Sequence, residues 1–122
     1  MISLDRLNGV LNASPEKRYK NFISTVVDQE QVWALSSEAG YATWDEDEII
    51  RLIVYPTLDA AKLFAGSDKP TAIEVHDFLS RCKAYMKNDR FGFMVYPNGS
   101  DAFIVSTEQM VNDIEATLAL VE

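Results

Sequence analysis

Phe91-Gly92-Phe93-Met94-Val95-Tyr96, then Pro97-Asn98-Gly99-Ser100, then Ala102-Phe103-Ile104-Val105: two apolar runs flank an Asn-Gly pair. Asn-Gly between apolar runs is a strong short-range hairpin signal, because both residues tolerate positive φ. Neither run alternates cleanly between apolar and polar. The spacing therefore predicts a central hairpin with both faces covered. Ser106, with Gln109 three residues on, has the pattern of a capping box that opens a helix. Met110, Ile114, Leu118 and Val121 would line the apolar side of that helix.

Outward from this hairpin, Val75, Phe78, Leu79, Cys82, Tyr85 and Met86 recur at helical spacing. Glu74 and Asp77 sit at the start of that helix and Lys83, Lys87 and Arg90 near its end, matching the helix macrodipole. Thr71 to Ile73 reads as a short strand, preceded by a loop at residues 67–70. A short helix from Leu58 to Ala65 is capped by Thr57 and ended by Gly66. Ile49 to Tyr55 reads as a strand that Pro56 closes. Residues 31–35 and 41–44 flank a loop at 36–40 and suggest a second hairpin, with an acidic turn from Asp45 to Glu48. Ser14-Pro15 supplies an N-cap and a proline in the first helical turn, and Tyr19, Phe22, Ile23, Val26 and Val27 follow at i, i+3, i+4, i+7 and i+8. Leu4, Leu7 and Leu11 suggest one more short helix, to about Asn12. The order is α-α-β-β-β-α-β-α-β-β-α. Without βαβ regularity it predicts an α+β fold with helices against a mainly antiparallel sheet.

A chain of 122 residues suits a single domain over residues 1–122, with no repeat or linker to divide it. No run approaches the roughly 18 apolar residues that span a bilayer, and Asp5, Arg6 and Asn8 interrupt anything resembling a signal peptide. Cys82 is the sole cysteine, which favours a reducing, cytoplasmic setting. The net charge of −8 is unevenly placed. Residues 28–48 carry Asp28, Glu30, Glu38 and Asp45 to Glu48 with no base, and residues 91–122 carry five acids with no base. Such a surface disfavours nucleic acid and anionic membrane, and favours a basic protein partner.

The residues that carry chemistry are few. His76 and Cys82 lie six positions apart on one helix, about 120° around its axis, so they do not make a nucleophile–base pair. One histidine and one cysteine do not make a zinc set, and the Asp45–Glu48 run lacks a calcium-loop spacing. The five glycines are isolated, so no phosphate loop is expected. No catalytic residue, metal ligand set or cofactor is expected, and the reading leans away from an enzyme. Arg18 flanks the apolar face of its helix, placed either to anchor a carboxylate internally or to bind an anion. Trp33 and Trp44, on the two arms of the second hairpin, adjoin Asp45, Glu46, Asp47 and Glu48. An aromatic for contact area beside carboxylates for steering is the chemistry of a protein-binding patch. The expectation is a binding or regulatory module using that acidic face. The competing reading is a small-molecule sensor or enzyme with a pocket near the helix at 58–65.

The chain also resembles the domain-of-unknown-function 2750 family. The likeness rests on Ser14-Pro15, Arg18-Tyr19, Phe22-Ile23, Val32-Trp33-Ala34-Leu35, Tyr55-Pro56, Ala61, Ala65, Phe78-Leu79 and Val95-Tyr96-Pro97. It departs at Leu58, where the family pattern places a tryptophan after the third strand's proline. The resemblance implies a fold and a bacterial cytoplasmic setting, and no activity.

Overall fold

In a computed structural model of the protein, which describes residues 12–84, 87–98 and 101–121, the first element is α1 (Pro15–Gln29). Ser14 caps it through its hydroxyl, which accepts from the Lys17 N–H, and Pro15 occupies the first helical turn, where a missing N–H costs nothing. There follow β1 (Gln31–Ser37), β2 (Gly40–Tyr41), β3 (Thr43–Glu46), β4 (Ile49–Tyr55), α2 (Leu58–Phe64), β5 (Lys69–Glu74), α3 (Val75–Lys83), β6 (Phe91–Val95), β7 (Phe103–Ser106) and α4 (Thr107–Val121). This is the expected α+β order. The helix expected up to Asn12 falls on residues 1–11, and Tyr85, Met86 and Gly99 likewise lie outside the described residues.

The sheet is antiparallel except where β4 and β6 run side by side, joined by the crossover through α2, β5 and α3. Its registers separate two faces. On one, Val32 and Ala34 of β1 align with Val54 of β4, Val95 and Phe93 of β6 and Val105 of β7. Helices α1, α3 and α4 cover this face, with α4 packed between the other two. Tyr19 of α1 stacks on Phe103 at 4.4 Å, and Phe78 of α3 meets Phe93 at 5.4 Å. Among the described residues, the other face has one short helix as its cover, α2. Its Ala60 and Ala61 are fully buried, and having no larger side chain they let the helix lie close to the strands. Phe64 stacks parallel to Tyr55 at 5.7 Å.

Three details differ from the sequence expectation. Residues 41–44 do not form one strand. Ala42 donates to the Leu35 carbonyl in β1 at 2.7 Å and accepts from the Ile53 N–H in β4 at 3.3 Å. β1 is antiparallel to both β2 and β4, and β3 is antiparallel to β4, so the chain reverses at Ala42. Above this point β1 pairs with β2 and β4 with β3; below it β1 and β4 pair directly. The sheet is forked. Second, the β6–β7 hairpin is not central: β7 is an edge strand with Ile104 exposed. Third, β5 starts at Lys69 rather than Thr71 and takes in Pro70, which an edge strand tolerates because its missing N–H can face outward.

Candidate functional site

The β3–β4 ribbon carries most of the expected binding residues. Glu46 pairs with Ile49, which leaves Asp47 and Glu48 as a two-residue turn with φ of 52° and 66°. Both central residues must be left-handed for such a turn to follow the strand twist, a conformation that favours Gly or Asn over glutamate. Asp45, Glu46, Asp47 and Glu48 are all exposed. Trp44, opposite Arg51, is 49% exposed, and its indole N–H donates to Glu46 Oε2 at 3.2 Å. On the other side of β3 the Thr43 hydroxyl donates to Asp45 Oδ1 at 2.9 Å. Arg90 approaches Glu48 at only 3.9 Å, between two exposed side chains. Ion pairs of that kind contribute about 0–1 kcal/mol, so the four carboxylates remain available to a partner.

Trp33 does not join this patch. It pairs with Tyr55, four residues along β4 from Arg51, or about 13 Å at strand spacing. It is half-buried in a separate cleft of about 560 Å³ between α1 and α2. Asn21, Asp28 and Gln29 of α1 reach this cleft from one side, and Thr57, Asp59 and Lys62 from the other. Sequence reasoning put a pocket near residues 58–65 and tryptophan beside the acidic run, but not Trp33 in that pocket. The sequence carries no signal for this, since it depends on how α1 and α2 flank β1.

Arg18 is fully buried. Its Nε donates to the Tyr96 carbonyl at 3.0 Å, Nη1 to the Ala13 carbonyl at 2.6 Å, and Nη2 to the Asp101 carbonyl at 3.1 Å and to the Asp101 carboxylate. It holds the start of α1 to the β6–β7 loop as an internal anchor and offers nothing to an external anion. His76 and Cys82 stand apart. The His76 ring meets Glu74 Oε2 at 2.9 Å on the surface, while Cys82 is 5% exposed and burial pushes its thiol up to about 12. Glu74 caps α3 by accepting from the His76 and Asp77 N–H groups, and those bonds hold its carboxyl below the ordinary value. Among the described residues no three His, Cys, Asp or Glu side chains are grouped to hold a metal ion, and no helix is long and apolar enough to cross a membrane.

The model of a family described as "protein of unknown function (DUF2750)" matches residues 19–114. The chain belongs to that family. No curated protein matches it, and no solved structure does. The match runs from Tyr19 in α1 to Ile114 in α4, so the DUF2750 region takes in the whole sheet, the ribbon and the Trp33 cleft. Ser14 and Arg18 precede it, although Arg18 fastens to Tyr96 and Asp101 within it.

Proposed function

We propose that this chain is a small binding or regulatory module that recognises a basic protein through the β3–β4 ribbon. One observation carries the reading: Trp44 stands half-exposed on a strand whose next four residues are solvent-facing carboxylates. The indole supplies rigid contact area at little conformational cost, and the carboxylates raise the encounter rate with a cationic surface. The single, buried cysteine supports a cytoplasmic setting for this module.

Affinity capture from a lysate of the source cells, with mass spectrometry, tests the reading. The parent should retain a basic protein at low salt and release it as salt rises, because exposed charges are screened over about 8 Å at physiological ionic strength. Neutralising Asp45, Glu46, Asp47 and Glu48 to Asn and Gln should slow that association. Trp44→Ala should speed dissociation without unfolding the chain, since the side chain is exposed. Identical capture by parent and both variants would sink the proposal.

A second reading has its own observation, the polar cleft beside α2 with Trp33 in its wall. It describes a small-molecule sensor or enzyme. A thermal-shift screen of metabolites addresses it, with a hit expected to be lost in Lys62→Ala and retained in Trp44→Ala.

A further inference from the structure

A second cleft, of about 580 Å³, opens on the opposite face of the sheet beneath the C-terminal half of α3. Its origin is the fork at Ala42. Where β1 and β4 separate, the floor comes from Ile50 and Leu52 of β4 and Phe91 and Phe93 of β6. Phe78 and Cys82 of α3 form the other wall. The volume lies within the range of small-ligand sites, roughly 300–1,000 Å³. Ile50 and Tyr41 line this concavity and remain 39% and 40% exposed. Large apolar side chains left open inside a cleft, on a strongly charged protein, are surface that a ligand can desolvate.

The cleft's charge identifies the class of ligand. Among the described residues, Arg81 is the one charged side chain in its lining. Residues 81–90 carry Arg81, Lys83, Lys87 and Arg90 against Asp89, a basic stretch in an otherwise acidic chain. Among the described residues Arg81 is engaged by Asp77, at 3.1 Å and with both side chains more than half exposed, so a competing carboxylate displaces little. The C-terminal end of α3 bears about half a negative charge, which the full charge on Arg81 outweighs, while Lys83 turns away to Glu115 at 3.0 Å. We propose that this cleft binds a small amphipathic carboxylate, its aliphatic or aromatic tail along Ile50, Leu52 and Phe93 and its head at Arg81. The site is distinct from the Trp44 ribbon and the Trp33 cleft.

Decanoate, kept below its micelle concentration and compared with decanol, is the probe. Cys82 is the built-in reporter, since its thiol lies in the cleft wall. Decanoate should raise the melting temperature of the full chain and slow thiol labelling of Cys82 further. Arg81→Gln, at an exposed position, should weaken decanoate binding by about tenfold, the effect of losing one charge-assisted hydrogen bond, and leave decanol unaffected. Ile50→Glu should abolish binding of both. No melting shift and no protection of Cys82 would overturn the proposal. Equal binding of decanol and decanoate, with Arg81→Gln silent, would overturn it as a carboxylate site. A mass measurement showing a dimer, with Cys82 labelled faster on dilution to the monomer, would assign the cleft to a second copy instead.

Discussion

The loop between β6 and β7 and the turn between β3 and β4 both present acidic residues, and they are held in opposite ways. At the first, Asp101 answers a guanidinium that lies wholly inside the protein and fastens three backbone carbonyls besides. Asn98 ties the loop to itself, donating from its N–H to the Asp101 carbonyl at 3.2 Å and accepting from the Asp101 N–H at 3.0 Å. At the second, strand pairing holds Asp47 and Glu48 in left-handed backbone, and their carboxylates face water, with Arg90 no nearer to Glu48 than 3.9 Å. A charge in the first loop is committed to the fold. A charge in the second contributes little to it and is therefore free for recognition.

Four experiments test that contrast, from the largest expected effect to the smallest. Arg18→Leu should cost about 3–5 kcal/mol in chemical denaturation, because it strands buried carbonyls and removes one partner of an ion pair. Asp101→Asn should cost only about 1 kcal/mol, since that side chain is half exposed. An Arg18→Leu variant as stable as the parent would remove the anchor from the account. Gly92→Ala comes next. A Cβ there would meet the Val105 carbonyl oxygen at 3.0 Å, a backbone atom that cannot swing away. Differential scanning calorimetry should register a loss of about 1–3 kcal/mol as β6 and β7 are pushed apart.

The third experiment is an alkaline titration of stability. Burial raises the Cys82 thiol from 9.0 to about 12 and the Tyr96 hydroxyl from 10.0 to about 12, while Tyr19 and Tyr55 are also raised. Folded-state values above the unfolded ones mean that the native chain binds more protons over this interval, so stability should fall as pH rises from about 9 towards 12. Cys82→Ala should flatten the start of that decline. A flat profile in the parent would mean that these groups are open to water. The smallest effect belongs to the exposed turn. Glu48→Gly removes a side chain from a left-handed residue and should change stability by less than about 1 kcal/mol, as a gain, with capture of the proposed basic partner reduced only by the lost charge. A loss above 1 kcal/mol would show that the turn is more than a display.

The sequence made the long elements plain, and the reasons are local. Tyr19 to Val27 and Val75 to Cys82 keep a helical period, and Ser14, Thr57 and Ser106 do cap the helices they precede. The capping box at Ser106 is half complete: its hydroxyl accepts from the Gln109 N–H, while the Gln109 amide turns to Asp113. What was not legible is tertiary. Tyr41-Ala42-Thr43-Trp44 has strand composition throughout, and its reversal at Ala42 exists only because β1 and β4 claim one bond each from that residue. The edge position of β7 follows from the β4–β6 crossover, not from its own residues. Of the candidate site, Trp44 and the four carboxylates stand together as spacing suggested. Trp33 is drawn away by its pairing with Tyr55.

The fork at Ala42 has a practical corollary. Leu35 and Ile53 are each one bond from Ala42, so two arms diverge from that point, while β5 still pairs with Ser36 and β6 with Ile50, Arg51 and Leu52. Each arm, β1–β2 and β3–β4, is closed by a tight turn at its tip, and among the described residues its inner strand, β2 or β3, takes strand partners only within the arm. Strand pairing alternates every two residues, so an arm lengthened or shortened by a matched pair, one residue per strand at two successive rungs, keeps its faces in register with the core. The tip of the β3–β4 arm, beyond the Ile50–Phe91 rung that joins β4 to β6, is thus a natural graft point, where a segment can be exchanged with the remainder of the scaffold left as it is.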